Sequence, residues 1–133
     1  MKQLKRTGVY QASNVSYDPK TKTAFSYRWW QFCGVINGLT VFNHHRYSPS
    51  TGQQQQKVRG LMYRLGHTVD VWIKCRTGLQ GATFKTDCIL YARKSVERLE
   101  AKNKKGRSGS WAYALRCQQI SSFQEQIKWA ETL

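Results

Sequence analysis

The chain has 133 residues, of which 40% are hydrophobic and two are proline, so its composition is that of a folded protein. This length suits one domain, and we expect residues 1–133 to form a single domain. Twenty-two Lys and Arg against seven Asp and Glu give a net charge of +15. Because self-repulsion on this scale opposes folding, a polyanionic partner explains the charge better than solubility does.

Composition also excludes several classes of protein. No apolar run approaches the roughly 18 residues of a membrane span, and the basic residues 1–8 lack the apolar stretch of a signal peptide. We therefore expect a cytoplasmic protein with no membrane partner. Four widely spaced cysteines without a CxxC pair predict reduced, mostly buried thiols, and they favour neither a zinc site nor any other metal or cofactor. These cysteines are Cys33, Cys75, Cys88 and Cys117.

The first third of the chain is rich in strand-forming residues. Three strands are predicted, over residues 9–17, 23–36 and 39–42. Asp18-Pro19-Lys20 indicates the first turn. Asn37-Gly38 predicts the second, because a type I′ hairpin turn needs a positive φ at both central positions. Gly34 inside the long strand indicates a bulge. The result is a three-stranded antiparallel meander.

Helices and strands are predicted to alternate in the remainder. The elements are a helix over 50–65, a strand over 69–75, a helix over 87–102, a loop over 103–110, a strand over 111–117 and a helix from about 122. The first helix has a regular apolar face, a capping box from Ser50 to Gln53 and a terminating Gly66. Ser122 and Glu125 predict a second capping box.

The predicted fold is therefore α+β with the order βββαβαβα. This order resembles that of ribonuclease-H-like proteins, although no motif accompanies the resemblance. The resemblance implies metal-binding acidic residues on the first strand, but residues 9–17 contain none, while Asp18 lies in a turn and Asp70 is isolated. Two-metal hydrolysis needs converging carboxylates, so the sequence favours binding over metal-dependent cleavage.

Two segments concentrate positive charge. Residues 93–107 contain seven basic and two acidic residues, and the polar face of the helix over 50–65 contains no acidic residue. Lys and Arg side chains in such segments contact phosphates. The predicted nucleic-acid contacts are Arg46, Lys57, Arg59, Arg64, Arg93, Lys94, Arg98, Lys102, Lys104, Lys105 and Arg107.

Adjacent Trp29 and Trp30 are predicted to point to opposite faces of one strand, with Arg28 on the face of Trp30. An exposed ring beside Arg would stack on unpaired bases, although a sheet buried on both faces is the favoured alternative. Separately, His44 or His45 is a candidate general base, with Arg46 or Lys57 stabilising the developing charge.

The favoured function is a non-enzymatic nucleic-acid-binding protein that grips the phosphate backbone of DNA or RNA. One alternative is a small nuclease that uses a loop histidine. Another is a basic module that binds an acidic protein within a nucleoprotein assembly. The short, basic chain is typical of a small phage or mobile-element protein.

Overall fold

The computed structural model describes all 133 residues as one sheet and three helices. The strands are β1 (Lys2–Gln3), β2 (Tyr10–Ala12), β3 (Val15–Asp18), β4 (Thr23–Ser26), β5 (Trp30–Ile36), β6 (Leu39–Asn43) and β7 (Val71–Ile73). The helices are α1 (Pro49–Arg64), α2 (Phe84–Lys105) and α3 (Trp111–Ala130). The α+β class is confirmed. The predicted order βββαβαβα is wrong. The resemblance to ribonuclease-H-like proteins depended on that order, so it is no longer supported.

The seven strands follow one another across the sheet in chain order. Strands β1 to β6 form an antiparallel meander, and β7 pairs in parallel with β6 after the crossover through α1. The predicted Asn37-Gly38 turn joins β5 to β6, with φ values of 51° and 79°. A parallel pair needs a long crossover connection, and α1 supplies it.

Two predicted strands are hairpins instead. Residues 9–17 divide into β2 and β3 around a turn at Ser13-Asn14, and residues 23–36 divide into β4 and β5 around residues 27–29. Arg28 and Trp29 therefore lie in a turn and not in a strand beside Trp30. The irregularity falls between Ala24 and Phe25, so the bulge predicted at Gly34 is wrong. Tyr27 and Trp29 favour strands, which hides the second turn in the sequence, whereas Ser13-Asn14 is a turn-favouring pair that the prediction missed.

The first predicted helix is confirmed to within one residue at each end. Gly66 follows it with a φ of 73°, as a helix-terminating glycine does. The capping box predicted at Ser50 is wrong, because Ser48 is the N-cap and Pro49 is the first helical residue. The strand predicted over 69–75 shortens to β7, and the helix predicted over 87–102 lengthens at both ends to α2.

The strand predicted over 111–117 is wrong, because this segment begins α3. The Ser110 hydroxyl caps the helix by accepting from the backbone N–H of Tyr113 at 3.1 Å. Most of the alternating apolar side chains that suggested a strand are exposed, among them Trp111, which is 79% exposed, and Tyr113 is partly buried. Helix α3 continues through Ser122, so the second capping box is also wrong. The loop predicted over 103–110 shortens to residues 106–110.

The sheet separates two hydrophobic cores. Neighbouring Val41 and Phe42 in β6 point to opposite faces, as successive residues of a strand must. On the first face Trp30, Phe32, Phe42 and other apolar side chains pack against Val58, Leu61 and Met62 of α1. On the second face Val41, Ile73 and Cys75 pack against Phe84, Cys88 and Ala130 of α2 and α3.

Three of the cysteines are buried and Cys117 is exposed, and none forms a disulfide. Burial raises the pKa of the Cys33 and Cys88 thiols to about 12, so these two side chains are neutral core residues at physiological pH. None of the three helices combines the length and the apolar character that crossing a membrane requires.

Candidate nucleic-acid interface

A groove runs past the carboxyl ends of the parallel strands β6 and β7. It lies where α1 leaves β6 toward one face of the sheet and α2 follows β7 on the other face. Crevices at such points are frequent ligand sites in sheets with parallel strands. Three adjoining cavities of about 670, 450 and 580 Å³ form the groove. The first two share Gln56 and Arg59, and the second and third share Tyr91.

The walls of this basic groove carry six cations and one carboxylate. The cations are Arg46, Arg59, Lys74, Arg76, Lys94 and Arg98. The chain has one ion pair, between exposed Arg93 and Glu131 at 3.6 Å, and it lies outside the groove. None of the six groove cations is therefore paired with a protein carboxylate, and all six are free to contact an external anion.

The single carboxylate of the groove belongs to Asp87. The hydroxyl groups of Thr77 and Thr83 both donate to its Oδ2 atom. These two hydrogen bonds hold the pKa of the Asp87 carboxyl below its usual value. Asp87 is thus committed to closing the loop that leads into α2, and it leaves the positive potential of the groove largely uncompensated.

The floor of the groove is aromatic. The His44 ring meets the Trp72 ring edge-on at 6.1 Å between centroids, and the His45 ring meets the Tyr91 ring edge-on at 5.5 Å. The guanidinium carbon of Arg59 lies 5.0 Å from the centroid of the Trp72 ring. Planar rings along a cationic groove are the combination by which proteins hold the bases and the backbone of a nucleic acid.

Buried amides fix the loop that carries the two histidines. Asn43 Oδ1 accepts from the backbone N–H groups of His45 and Cys75, each at 3.1 Å, while Asn43 Nδ2 donates to the Cys75 carbonyl at 2.8 Å. Gln55 Nε2 donates to the carbonyls of Asn43 and His45, each at 2.9 Å. The end of β6, the segment that follows β7 and helix α1 are thereby joined at the floor of the groove.

A third buried amide positions Lys74. The side chain of Gln126 in α3 accepts from the backbone N–H of Lys74 and donates to its carbonyl, both at 2.9 Å. The same amide nitrogen donates to the Cys88 carbonyl in α2. Gln126 therefore pairs with the backbone directly after edge strand β7, and it holds Lys74 on the groove wall.

The charges of the groove act on its histidines. Burial, together with Lys74, Arg59 and His45, lowers the pKa of His44 to about 4. Burial, together with Arg76 and Lys74, also lowers the pKa of His45. Both imidazoles are neutral near pH 7 because each proton would add charge to a partly desolvated, cationic environment.

Helix α2 continues the groove away from the sheet. Tyr91, Lys94, Arg98, Lys102 and Lys105 recur at helical spacing on one face, which we call the α2 stripe. The stripe extends about 21 Å, at a rise of about 1.5 Å per residue. A second face of α2 combines both signs of charge, in Arg93, Glu97, Glu100 and Lys104. The stripe downstream of Tyr91 contains no acidic residue.

The predicted contact residues fall into two groups. Arg46, Arg59, Lys94 and Arg98 line the groove, and Lys102 and Lys105 continue it. The remaining five, listed here, lie elsewhere: Lys57, Arg64, Arg93, Lys104 and Arg107. Lys57 and Arg64 share a flank of α1 that is roughly 160° around the helix from Arg59. Arg93 and Lys104 lie on the mixed face of α2.

Four groove residues were not predicted as contacts: Trp72, Lys74, Arg76 and Tyr91. The alternation of Trp72, Lys74 and Arg76 with buried Ile73 and Cys75 places these three side chains on the same side of the chain. That pattern of one ring and two cations was the available indication in the sequence. No local pattern in the sequence indicated Tyr91. Its helical spacing from Lys94 and Arg98 becomes informative only when this face of α2 is known to line the groove.

No three His, Cys, Asp or Glu side chains come together in a group that would hold a metal ion. Comparison of the chain with protein-family models, with curated proteins and with solved structures finds no match.

Proposed function

We propose that this protein binds nucleic acid without cleaving it, and that the basic groove and the α2 stripe are the binding surface. One observation carries the proposal: six cations, none of them in an ion pair, line a continuous groove whose floor is aromatic. Phosphates of the nucleic acid would neutralise these cations and release their condensed counterions into solution. That release of counterions is the main source of affinity in such complexes.

The length of the surface supports a polymer over a small anion. The three cavities adjoin one another, and the α2 stripe continues about 10 Å beyond them, from Arg98 to Lys105, which is the span of roughly three further nucleotides at about 3.4 Å each. A free phosphate or a nucleotide would occupy a fraction of this surface. A strand would engage the groove cations and the stripe lysines together.

Salt dependence tests the proposal. Fluorescence anisotropy of a fluorescein-labelled 12-nucleotide dT strand, of the same length of rU and of a 12-base-pair duplex would give Kd values between about 50 and 200 mM NaCl. With about six phosphate contacts, affinity for the preferred probe falls roughly a thousandfold over that range. Affinity that is independent of salt, or absent for all probes, would contradict the proposal.

A pair of double variants locates the surface. Lys74→Gln with Arg76→Gln removes two groove cations, and we expect a weaker complex whose salt slope is smaller by about 1.4. Lys57→Gln with Arg64→Gln removes the same charge from the far flank of α1, and we expect little change. Equal losses in the two double variants would show that net charge, and not the groove, governs binding.

The histidines argue for binding rather than hydrolysis. Both line the groove, each faces an aromatic ring, and the charged groups that act on them are cations. An imidazole with a pKa near 4 is a weak general base at neutral pH. Incubation of DNA and RNA with the protein, with and without Mg²⁺, should leave both intact. Cleavage that disappears in His44→Ala or His45→Ala would establish the nuclease instead.

An acidic protein is the remaining alternative partner. It would satisfy the cations of the groove, but it would not use the aromatic floor, which is suited to the faces of bases. Partners captured with the purified protein should therefore be lost after nuclease treatment. A partner that survives that treatment would favour the protein-binding alternative.

A further inference from the structure

Trp29 and Tyr47 form an aromatic corner beside the groove, and neither residue lines its cavities. Their rings meet at 83°, with centroids 5.3 Å apart, and each side chain is 53% exposed. Tyr47 also packs at 36° against Trp30, which is buried in the core. Tyr47 therefore links the Trp29 ring to the core, and both residues of the corner keep about half of their surface free for a ligand.

The backbone beneath the corner is unusual. Tyr27 and Arg28, which form the turn before Trp29, have φ values of 50° and 65°. The next hairpin of the same sheet needs the same left-handed conformation, and there the chain uses Asn37 and Gly38, the residues that adopt it most easily. Large side chains persist in this region when the surrounding structure over-determines the backbone, and such positions cluster at functional sites. Turn propensity does not account for Tyr27 and Arg28.

Hydrogen bonds fix the backbone that carries the Trp29 ring. The Tyr27 hydroxyl pairs with the Ser50 hydroxyl of α1 at 2.6 Å, and the Tyr27 backbone N–H donates to the Asn14 carbonyl at 2.8 Å. The Trp29 carbonyl accepts from the Gln80 side chain. Because this backbone is fixed, the turn needs little further ordering when a flat ligand meets the ring that it carries.

The corner is also connected to the basic groove. Trp30 Nε1 donates to the carbonyl of Arg76 at 2.9 Å, and the residue before Tyr47 is Arg46, which lines the groove. Arg28, which is exposed, comes directly before Trp29 in the chain. Each ring of the corner is thus preceded in sequence by an arginine, the pairing of a flat ring and a cation that suits the base and the phosphate of a nucleotide.

We infer that the Trp29–Tyr47 corner stacks one unpaired nucleobase of a strand whose phosphates lie in the groove, so the substrate class is single-stranded nucleic acid. In a duplex both faces of every base are covered by neighbouring bases, and the corner has nothing to stack on. The inference rests on the proposed function, and it adds what the groove by itself does not determine, which is strandedness.

The test compares Trp29→Ala with a control, Trp111→Ala, which removes a more exposed ring, 79% against 53%, at the start of α3. Loss of one stacked base weakens binding by roughly five- to 150-fold. We therefore expect Trp29→Ala to bind labelled dT12 and rU12 about tenfold or more weakly than the wild type. Its affinity for a 12-base-pair duplex, and all affinities of Trp111→Ala, should stay within about twofold of wild type. Trp29→Phe keeps a stacking ring and should recover most of the loss.

An abasic probe separates base stacking from other effects of the substitution. A 12-nucleotide strand that retains its phosphates but lacks bases should bind wild type and Trp29→Ala equally well. Three results would overturn the corner proposal. Trp29→Ala could bind dT12 and rU12 as tightly as wild type does, or it could lose the same affinity for the single strands and for the duplex. Wild type could also bind the single strands and the duplex with equal affinity. Absence of binding to every probe would instead overturn the proposed function itself.

Discussion

The guanidinium of Arg59 in α1 lies over the ring of Trp72 in β7, 5.0 Å from its centroid. The pair joins the first helix to the seventh strand across the mouth of the groove. Trp72 is 46% exposed, so its ring both packs against the guanidinium and forms part of the groove floor. A cation held over a ring in this way retains its charge for a ligand while losing side-chain freedom.

This geometry predicts different outcomes for two substitutions of Arg59. Arg59→Gln removes the charge, and the salt slope for dT12 should fall by about 0.7. Arg59→Lys keeps the charge but lacks the planar group that stacks on Trp72, so it should keep the slope and still bind several-fold more weakly. Anisotropy titrations across NaCl concentrations measure both quantities. Identical behaviour of the two variants would mean that stacking on Trp72 has no part in binding.

The two faces of α2 predict a second difference. Lys94→Gln with Arg98→Gln removes two of the four stripe cations, so we expect about a 10- to 100-fold loss of affinity for dT12 near 100 mM NaCl and a slope smaller by about 1.4. Arg93→Gln with Lys104→Gln removes the same charge from the mixed face of the same helix. We expect the affinity of the second double variant for dT12 to remain within about threefold of wild type. A larger loss of affinity in the second double variant than in the first would place the contact surface on the mixed face of α2.

The pKa of His44 predicts a loss of stability in acid. Its value of about 4 in the folded chain lies below its ordinary value of 6.5, so the unfolded chain binds the proton more readily between these pH values. The free energy of unfolding should therefore fall as the pH drops from about 6.5 toward 4. His44 is partly exposed, and we expect it to account for on the order of 1 kcal/mol of that loss.

Urea unfolding at pH 7.0 and pH 4.5 measures this contribution. The free energy of unfolding of wild type should fall by more between the two pH values than that of His44→Gln, which has no proton to bind at this position. The carboxylates titrate in both proteins, so their contribution cancels in the comparison. Parallel losses in wild type and variant would mean that His44 titrates normally in the fold.

The buried amide of Asn43 predicts a large loss of stability. Asn43→Ala leaves the backbone N–H and carbonyl of Cys75 without their partners at the centre of the domain. Unsatisfied buried groups cost about 1–3 kcal/mol each, so we expect about 3 kcal/mol in total and a Tm lower by about 10 °C. Thermal unfolding followed by circular dichroism tests this, with Asn14→Ala in an exposed turn as the control. A Tm within about 2 °C of wild type would show that Asn43 is dispensable.

Local sequence patterns were sufficient to predict those turns and helices that depend on interactions between neighbouring residues. The Asn37-Gly38 turn and the helix from Pro49 to Arg64 were predicted because φ requirements and helical periodicity are properties of neighbouring residues. The segment from Trp111 to Cys117 failed for the opposite reason. Its apolar alternation is genuine but exposed, and contact with α2 together with the Ser110 cap determines that it is helical.

The strongly basic charge, the scarcity of carboxylates and the α+β class followed from composition and local pattern alone. Which cations act together depends on how the chain folds. The parallel pairing of β7 with β6 brings Lys74 into one cavity with Arg59 and places Arg76 in an adjoining cavity, although both are distant from Arg59 in sequence. The helical turn of α2 separates Lys94 from Arg93. Strand pairing and helix packing are long-range interactions, and a local pattern of residues does not contain them.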